Sequence, residues 1–351
     1  MPGGNESALL ALWGRDLLRA SMGCFVGCVT LVACIPLVAC HSESSASEGS
    51  GASGGSGASG GSGASGGSAA SGGAVDITNA TFTRRSADCA DYAQSYSSAV
   101  VDVQRQLGFE GFVDIVAGSD SCTLTSNAIP NHDFDDQGAA FATPTAVLET
   151  SFVIKRNPTA ASNPTALELQ SYDAVMLNGV VVDLLAAGCY GVGDGKIGCH
   201  DLNSPWRYDP MSPTANFGTD GHNAHTQPDG RYHYHGDPLA MYGEPSQVSP
   251  VIGFAADGFP IYGPYFDDAG TIREAQSGYS LKSGTRSGSG SPGGSYDGTF
   301  VDDYEYTGAG DLDECNGMSV GGQYGYYVTR KYPWVLGCLR GTPDASFSKH
   351  P

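Results

Sequence analysis

Two short apolar runs surround Asn178-Gly179 in the segment Ala174-Val-Met-Leu-Asn-Gly-Val-Val-Val182. Asn-Gly is a preferred two-residue hairpin loop, because a type I′ turn needs positive φ at both central residues. The apolar runs supply the two strands that such a turn joins. The segment therefore predicts a β-hairpin and favours a fold built mainly from β-structure.

Further strand pairings are predicted downstream. The segment Val251–Tyr262 repeats the arrangement, with Asp257-Gly258 between its apolar runs. Asp-Gly favours the same tight turn, so a second hairpin is expected. A third pairing is predicted between Tyr324–Thr329 and Trp334–Leu339. Gly and Ser dominate Ser283–Ser295, which is predicted to be an exposed loop.

One segment of the chain has helical periodicity. Between Asp91 and Leu107, apolar residues recur near Ala93, Val100 and Val101. This spacing predicts one α-helix. The expected fold class is therefore mainly β with a minor helix, in a turn-rich domain.

The composition agrees with this fold class. Of 351 residues, 51 are Gly and 19 are Pro, which argues against a helical bundle. Aromatic residues make up 10% of the chain, too many for wholesale disorder. Asp and Glu outnumber Lys and Arg by 37 to 17, and the resulting net charge of −20 repels phosphate backbones. Nucleic acid is therefore not expected as a partner.

The N-terminal 40 residues resemble a secretory signal. An almost uninterrupted apolar run from Ala20 to Ala39 follows Arg15 and Arg19. The run ends in Leu-Val-Ala-Cys40, which resembles the lipobox of bacterial lipoproteins and predicts lipid attachment at Cys40. The same four letters at Leu31–Cys34 are the alternative site, and Cys40 is preferred because a cut at Cys34 would shorten the apolar run. An uncleaved anchor helix is the alternative, since about 20 apolar residues span a bilayer. Both interpretations place the rest of the chain outside the cytoplasm, and the lipid anchor predicts the membrane as a partner.

Residues 41–74 are predicted to be a flexible linker. From Glu43 to Ala74 the segment is mostly Gly, Ala and Ser, with Gly-Ala-Ser-Gly-Gly-Ser repeating every six residues. This composition is typical of a flexible coil and cannot build a core. Residues 75–351 are left as the globular part, either one domain or two halves that share a core.

Six cysteines lie beyond the signal segment. An even number in an oxidising compartment predicts a disulfide framework, and six cysteines allow 15 pairings. Proximity in the sequence favours pairing Cys89 with Cys122, Cys189 with Cys199, and Cys315 with Cys338. Thiolate metal ligation is the weaker alternative, because the sequence has no Cys-x-x-Cys spacing.

Half of the eight histidines fall in one short stretch, Asp220–His235. They are His222, His225, His233 and His235. If Tyr232–His235 is a strand, His233 and His235 project from one face and the two tyrosines from the other. The turn Pro228-Asp-Gly would fold the two earlier histidines back towards this strand. The four imidazoles are therefore predicted to share one site.

A cluster of neutral imidazoles predicts a transition metal, with Cu or Zn expected. Asp220, Asp229 and Asp237 are further candidate ligands or acceptors that fix the imidazole tautomer. His132, in Ile129-Pro-Asn-His-Asp133, is a candidate fifth histidine. The alternative is a hydrogen-bonded polar ladder, in which His and Tyr side chains satisfy one another and the backbone.

These residues resemble a known family. Tyr232-His-Tyr-His235 is the tetrapeptide for which the YHYH-domain proteins are named, and five more segments are similar to the same family in the same order. They are Ile129-Pro-Asn-His132, Asp257-Gly-Phe-Pro-Ile-Tyr-Gly263, Tyr296-Asp-Gly-Thr-Phe-Val-Asp-Asp-Tyr304, Asp311-Leu-Asp-Glu-Cys-Asn-Gly317 and Tyr332-Pro-Trp-Val-Leu-Gly-Cys338. The resemblance spans roughly Ile129 to Phe347. It implies a secreted or surface-anchored protein and no particular reaction.

The sequence departs from the family in one respect. Many members carry His in a second aromatic strand near the C-terminus, which here reads Tyr324-Gly-Tyr-Tyr-Val-Thr329. If the domain is a diverged duplication, Gly230-Arg-Tyr-His-Tyr is echoed by Gly322-Gln-Tyr-Gly-Tyr326, and only the first half keeps imidazoles. A two-metal centre built from both strands is then not expected.

Three functions compete on this sequence. The favoured one is a lipid-anchored metal-binding module, which needs only ligands. A metal-dependent hydrolase or oxidase would also need an open coordination position and a base, for which Asp257 and Glu244 are available carboxylates. The third is a surface interaction domain in which the His-Tyr strand is only structural. No reaction class and no protein or small-molecule partner follows from the residues.

Overall fold

A computed structural model describes residues 73–349 of the chain. The predicted signal segment 1–40, with Cys40, and nearly all of the linker 41–74 lie outside the described residues. Within the described part, no helix is both long enough and apolar enough to cross a membrane.

The first sheet has five strands in sequential order. They are β1 (Val75–Asp76), β2 (Ser95–Asp102), β3 (Leu107–Ala117), β4 (Ser121–Ser126) and β5 (Thr150–Lys155). The pairs from β2 to β5 are antiparallel, whereas the short β1 runs parallel to β2.

The later strands form a second sheet and two separate two-stranded sheets. In chain order they are β6 (Ala174–Met176), β7 (Val181–Val182), β8 (Ala224–Thr226), β9 (Tyr232–Tyr234), β10 (Val251–Ala255), β11 (Pro260–Tyr262), β12 (Tyr265–Asp268), β13 (Thr271–Glu274), β14 (Tyr279–Leu281), β15 (Tyr304–Tyr306), β16 (Gly317–Val320) and β17 (Gln323–Tyr327). The second sheet has eight strands, in the order β16-β17-β11-β10-β6-β7-β9-β8. The pairs β12–β13 and β14–β15 each form a separate two-stranded sheet.

The mainly β fold class is confirmed, but the predicted α-helix at Asp91–Leu107 is wrong. A 3₁₀ turn at Cys89–Tyr92 leads into β2, and a turn before Leu107 reverses the chain into β3. In β2 the buried residues are Ser98, Val100 and Asp102, a two-residue period. Tyr96, Val100 and Val101 of this strand are aromatic or β-branched, and such side chains fit a pleated sheet better than a helix. Only two other 3₁₀ turns, Val301–Asp303 and Ala345–Phe347, occur in residues 73–349.

Both hairpins predicted from their turns are confirmed. Val175 pairs with Val181 around Asn178-Gly179, and Phe254 pairs with Pro260 around Asp257-Gly258. Gly179 is required at the first turn, since its φ is +84° and an added Cβ would lie 2.5 Å from the side chain of Ser126.

The third predicted pairing is wrong. β17 pairs with β16 on one side and parallel to β11 on the other, so both of its edges are occupied. Residues 334–339 instead form turns around Asn316, whose amide Nδ2 donates to the carbonyls of Tyr327 and Val335.

The eight-stranded sheet consists of two halves with the same topology. In the first half, the hairpin β6–β7 continues through a parallel pair β7–β9 to an antiparallel pair β9–β8. In the second half, β10–β11 continues through parallel β11–β17 to antiparallel β17–β16. Val182 pairs with Tyr234, and at the corresponding place Ile261 pairs with Tyr326. The duplication suggested by the sequence echo is therefore present in the topology.

The halves meet at the pair β6–β10, and one hydrophobic core joins this sheet to the five-stranded one. The three cysteine pairings favoured by proximity are confirmed: Cys89–Cys122, Cys189–Cys199 and Cys315–Cys338 are within disulfide distance. Ser283–Ser295 is largely exposed, as predicted, except for Arg286, which is buried against Asp303.

Candidate metal centre

Three imidazoles converge at one edge of the second sheet. His225 of β8 lies directly opposite His233 of β9 in the antiparallel pair, and His235 follows β9 by one residue. The two-residue period therefore places His233 and His235 on the same face of the sheet. These three residues are called the His trio below.

The ring nitrogens of the trio are close enough to share one ion. Nε2 of His235 lies 3.0 Å from Nε2 of His233 and 3.0 Å from Nε2 of His225. The three ring centroids form a nearly equilateral triangle with sides of 4.8, 4.7 and 4.6 Å. Three nitrogens bound to one tetrahedral Zn²⁺ at about 2.0–2.1 Å would lie about 3.3 Å apart, so small ring movements suffice.

The backbone fixes the tautomer of two rings. Nδ1 of His225 lies 2.7 Å from the carbonyl oxygen of Phe217, and Nδ1 of His233 lies 3.2 Å from that of Arg231. Since a carbonyl oxygen only accepts, each Nδ1 carries the proton, and each Nε2 offers a lone pair. Both lone pairs point at Nε2 of His235. A single N–H there cannot serve two acceptors well, so the arrangement has an excess of lone pairs, as metal sites do.

Burial keeps the trio in its neutral form. Desolvation lowers the pKa of His225, and it lowers the pKa of His233 and of His235 well below the usual range. The neighbouring imidazoles and Lys349 act in the same direction on His233 and His235. The main chain of Asp183 opposes the shift at His235, although Nδ1 of this ring has no hydrogen-bond partner of normal geometry. Protons therefore compete weakly for the nitrogen lone pairs at neutral pH.

His222 lies apart from the trio. It stacks on His132 with ring centroids 3.7 Å apart, and its Nδ1 lies 2.9 Å from the carbonyl of Pro238. His132 is buried and accepts a hydrogen bond at Nε2 from the hydroxyl of Tyr234, at 2.7 Å. This pair is on the tyrosine side of β9. The structure thus separates the predicted single site into the His trio and a stacked pair, because alternate residues of β9 point to opposite faces.

The three candidate aspartates also lie away from the trio. Asp220 accepts from the hydroxyl of Tyr232 at 2.8 Å, again on the tyrosine side. Asp229 is exposed and accepts from the amide of Arg231 in the turn before β9. Asp237 is buried and accepts from Tyr242. Each carboxylate accepts a hydrogen bond from a turn amide or from a tyrosine hydroxyl and is not among the ligand atoms grouped with the three rings.

The two carboxylates considered as general bases, Asp257 and Glu244, are not part of the trio. Asp257 accepts from the hydroxyl of Tyr326 at 2.6 Å in the second half of the sheet, and Glu244 is exposed. Asp88, Cys89 and Cys122 also lie close enough together to hold a metal ion, but their groups already have partners. The two sulfurs form a disulfide, and Asp88 pairs with Arg156.

The second half repeats the scaffold of the site without its imidazoles. Tyr232 donates to Asp220, and at the corresponding place Tyr324 donates to Asp313 at 3.0 Å. Both aspartates also accept from two amides of the turn that follows. The partners of the trio in the second half are Met318 for His225, Gly325 for His233 and Tyr327 for His235.

Two polar residues beside the trio were not found from the sequence. Asp183 follows β7, which lies next to β9, and Lys349 forms an ion pair with it at 2.5 Å. The parallel neighbour of a strand is remote in the chain, so no local spacing could indicate this contact. Only the position of Asp183 directly after a buried strand was available as a signal.

The comparisons with known proteins give one match. The model of the family described as YHYH protein matches residues 151–341, more than half of the chain and including all three trio histidines. Neither the curated proteins nor the solved structures provide a match. The matched region also contains two of the three disulfides, in keeping with the extracytoplasmic setting of the family. The chain belongs to the YHYH protein family.

Proposed function

We propose that this protein is an extracytoplasmic transition-metal-binding module that holds one Cu or Zn ion through Nε2 of His225, His233 and His235. The observation that carries the proposal is the convergence of three neutral imidazoles, two buried and that of His225 half-buried, whose Nε2 atoms are 3.0 Å apart in two pairs. Imidazole nitrogen suits both metals, and main-chain carbonyls on Nδ1 are the usual outer partners of ligating histidines.

The duplicated sheet supports the proposal independently. The second half folds with the same strand order, the same Tyr–Asp hydrogen bond and Met, Gly and Tyr in place of the three histidines. The scaffold therefore does not need imidazoles at these positions. Burying three of them close together costs desolvation free energy, which binding of a cation would offset.

The setting of the module follows from the N-terminal sequence. The lipobox-like Leu-Val-Ala-Cys40 supports attachment of the chain to a membrane through Cys40, with the Gly/Ser-rich segment as a tether. The three disulfides support an oxidising compartment. Under this proposal the module captures or carries metal at the cell envelope.

Metal analysis of the untagged chain tests the ligand set. After loading with Zn²⁺ or Cu²⁺ and exhaustive dialysis, mass spectrometry of the wild type should give about one metal ion per chain, as expected for a single three-histidine centre. The double variant H233A/H235A should give none. H222A is the matched control, because it removes a histidine of the same sequence cluster that lies on the other face, and it should keep the metal. Equal metal content in wild type and H233A/H235A, or loss only in H222A, would reject the assignment.

A further inference from the structure

A buried carboxylate lies on the same face of the sheet as the trio. Val181 of β7 pairs with His233, and the amide of Asp183 donates to the carbonyl of Tyr234 at 3.0 Å, so the parallel pairing continues past the strand. Asp183 is two residues after Val181 and therefore points to the face that holds His233 and His235. Its exposed fraction is 4%.

Only one oxygen of this carboxylate is satisfied. Oδ2 of Asp183 accepts from Nζ of Lys349 at 2.5 Å and from the amide of Gln227. Oδ1 has no hydrogen-bond partner although it is buried. Leaving a buried oxygen without a partner destabilises the fold unless a water or a ligand pairs with it.

Two more unpartnered atoms lie on this face. Nε of Arg231 and Nδ1 of His235 are buried without a partner, and both residues are an even number of positions from His233. With Oδ1 of Asp183 they make three of the five such side-chain atoms found in residues 73–349. An unpaired donor, an unpaired acceptor and an imidazole nitrogen on one face are groups that water or a small polar ligand would pair with.

In the second half of the sheet, aromatic side chains occupy the positions that correspond to Asp183 and His235. Tyr262 stands where Asp183 stands in the first half, and it stacks on Tyr327 with centroids 5.0 Å apart. Gly325 is needed there, because an added Cβ would lie 2.5 Å from the ring of Tyr262. An aromatic pair thus occupies the volume that the first half leaves to histidine and aspartate.

Asp183 is not itself a direct ligand in this arrangement. The set of ligand atoms within 4.8 Å of one another contains the three histidines and not Asp183. Asp183 is therefore outside the ligand set, on the same face of the sheet as His233 and His235. We propose that the His trio centre keeps one coordination position open towards Asp183, occupied by a water molecule that donates to Oδ1 and that a small anion can displace. This inference rests on the proposed metal-binding function and adds an exchangeable site to it.

Azide titration of the untagged Cu²⁺-loaded chain tests the open position. Azide that displaces the water should produce an azide-to-copper charge-transfer band. D183N should bind azide at least about tenfold more tightly, because it removes a negative charge next to the bound anion, and K349Q should bind it more weakly, because it removes a positive charge that pairs with Asp183. D229N is the matched control, since it removes an exposed carboxylate of the turn before β9, and it should leave the azide affinity unchanged.

The outcomes separate the two proposals. Stoichiometric copper without an azide band would overturn the open position and leave the metal site standing, as would equal azide affinities in D183N, K349Q and D229N. Absence of stoichiometric copper in the wild type would overturn both. Should D183N fail to fold, as judged by near-ultraviolet circular dichroism, the wild-type band and the weaker affinity of K349Q decide the question.

Discussion

Acidification is expected to destabilise the domain through His132. Burial, with the neighbouring imidazole of His222 acting in the same direction, lowers the pKa of His132 to about 3. An unfolded chain has its histidines near 6.5. Between these values the unfolded chain binds a proton that the folded chain does not. The stability contributed by neutral His132 is therefore fully present above pH 6.5 and is lost as the pH falls towards 3.

The size of the loss follows from the two pKa values. Going from about pH 7.5 to about pH 4.5, the linkage relation gives a loss of about 3 kcal/mol from this one group. Other buried groups also titrate in this range, so the total change in the wild type does not isolate His132. H132Q does isolate it, because Gln keeps an acceptor for the hydroxyl of Tyr234 and does not titrate.

The assay is urea unfolding of metal-free protein at the two pH values, followed by fluorescence. The free energy of unfolding of the wild type minus that of H132Q should be about 3 kcal/mol lower at the lower pH than at the higher pH. H200Q is the matched control, since His200 is exposed, and its difference from the wild type should stay constant. A difference between wild type and H132Q that is the same at both pH values would refute the buried, neutral state of His132.

Two further predictions address the tyrosine face and the disulfides. Y234F should lower the free energy of unfolding by about 1–3 kcal/mol, because Nε2 of His132 loses its donor at 2.7 Å. Mass spectrometry should find the metal content of Y234F unchanged. Loss of metal would contradict the separation of the two faces of β9. Replacing Cys89 and Cys122 by Ala opens a loop of 33 residues and should lower the free energy of unfolding, measured with denaturant, by about 4 kcal/mol. Replacing Cys189 and Cys199, whose loop has 10 residues, should lower it by about 3 kcal/mol. The reverse order would contradict the loop-entropy account.

Local turn chemistry predicted more of the fold than periodicity did. Asn178-Gly179 and Asp257-Gly258 specify their hairpins through the glycine, which takes the positive φ of the turn, whereas Asn178 and Asp257 keep negative φ. The apolar spacing in Asp91–Leu107 carries no such restriction, and the strand pairing of β2 with β3 overrode it. Residues 334–339 resembled a strand because they are apolar, but both edges of β17 are already paired.

The candidate site was predictable to the extent that it lies on one short strand. Alternation along β9 correctly placed His233 with His235, and the turn before it brought His225 opposite. Spacing alone could not show that His222 lies outside the trio. It precedes His225 by only three residues, but its ring lies on the tyrosine face and packs on His132. Asp183 depends on a parallel neighbour, and parallel neighbours leave no short-range signal in a sequence.

The two halves of the sheet compare the same scaffold with and without the site. In the second half, Tyr262 and Tyr327 stack on each other at the positions that correspond to Asp183 and His235. In the first half, the corresponding positions leave buried polar atoms unpaired at Asp183 and His235. A fold that can fill this volume with aromatic rings has no structural reason to retain groups that weaken it. The stability given up around the His trio is therefore best explained by what the open, polar half binds.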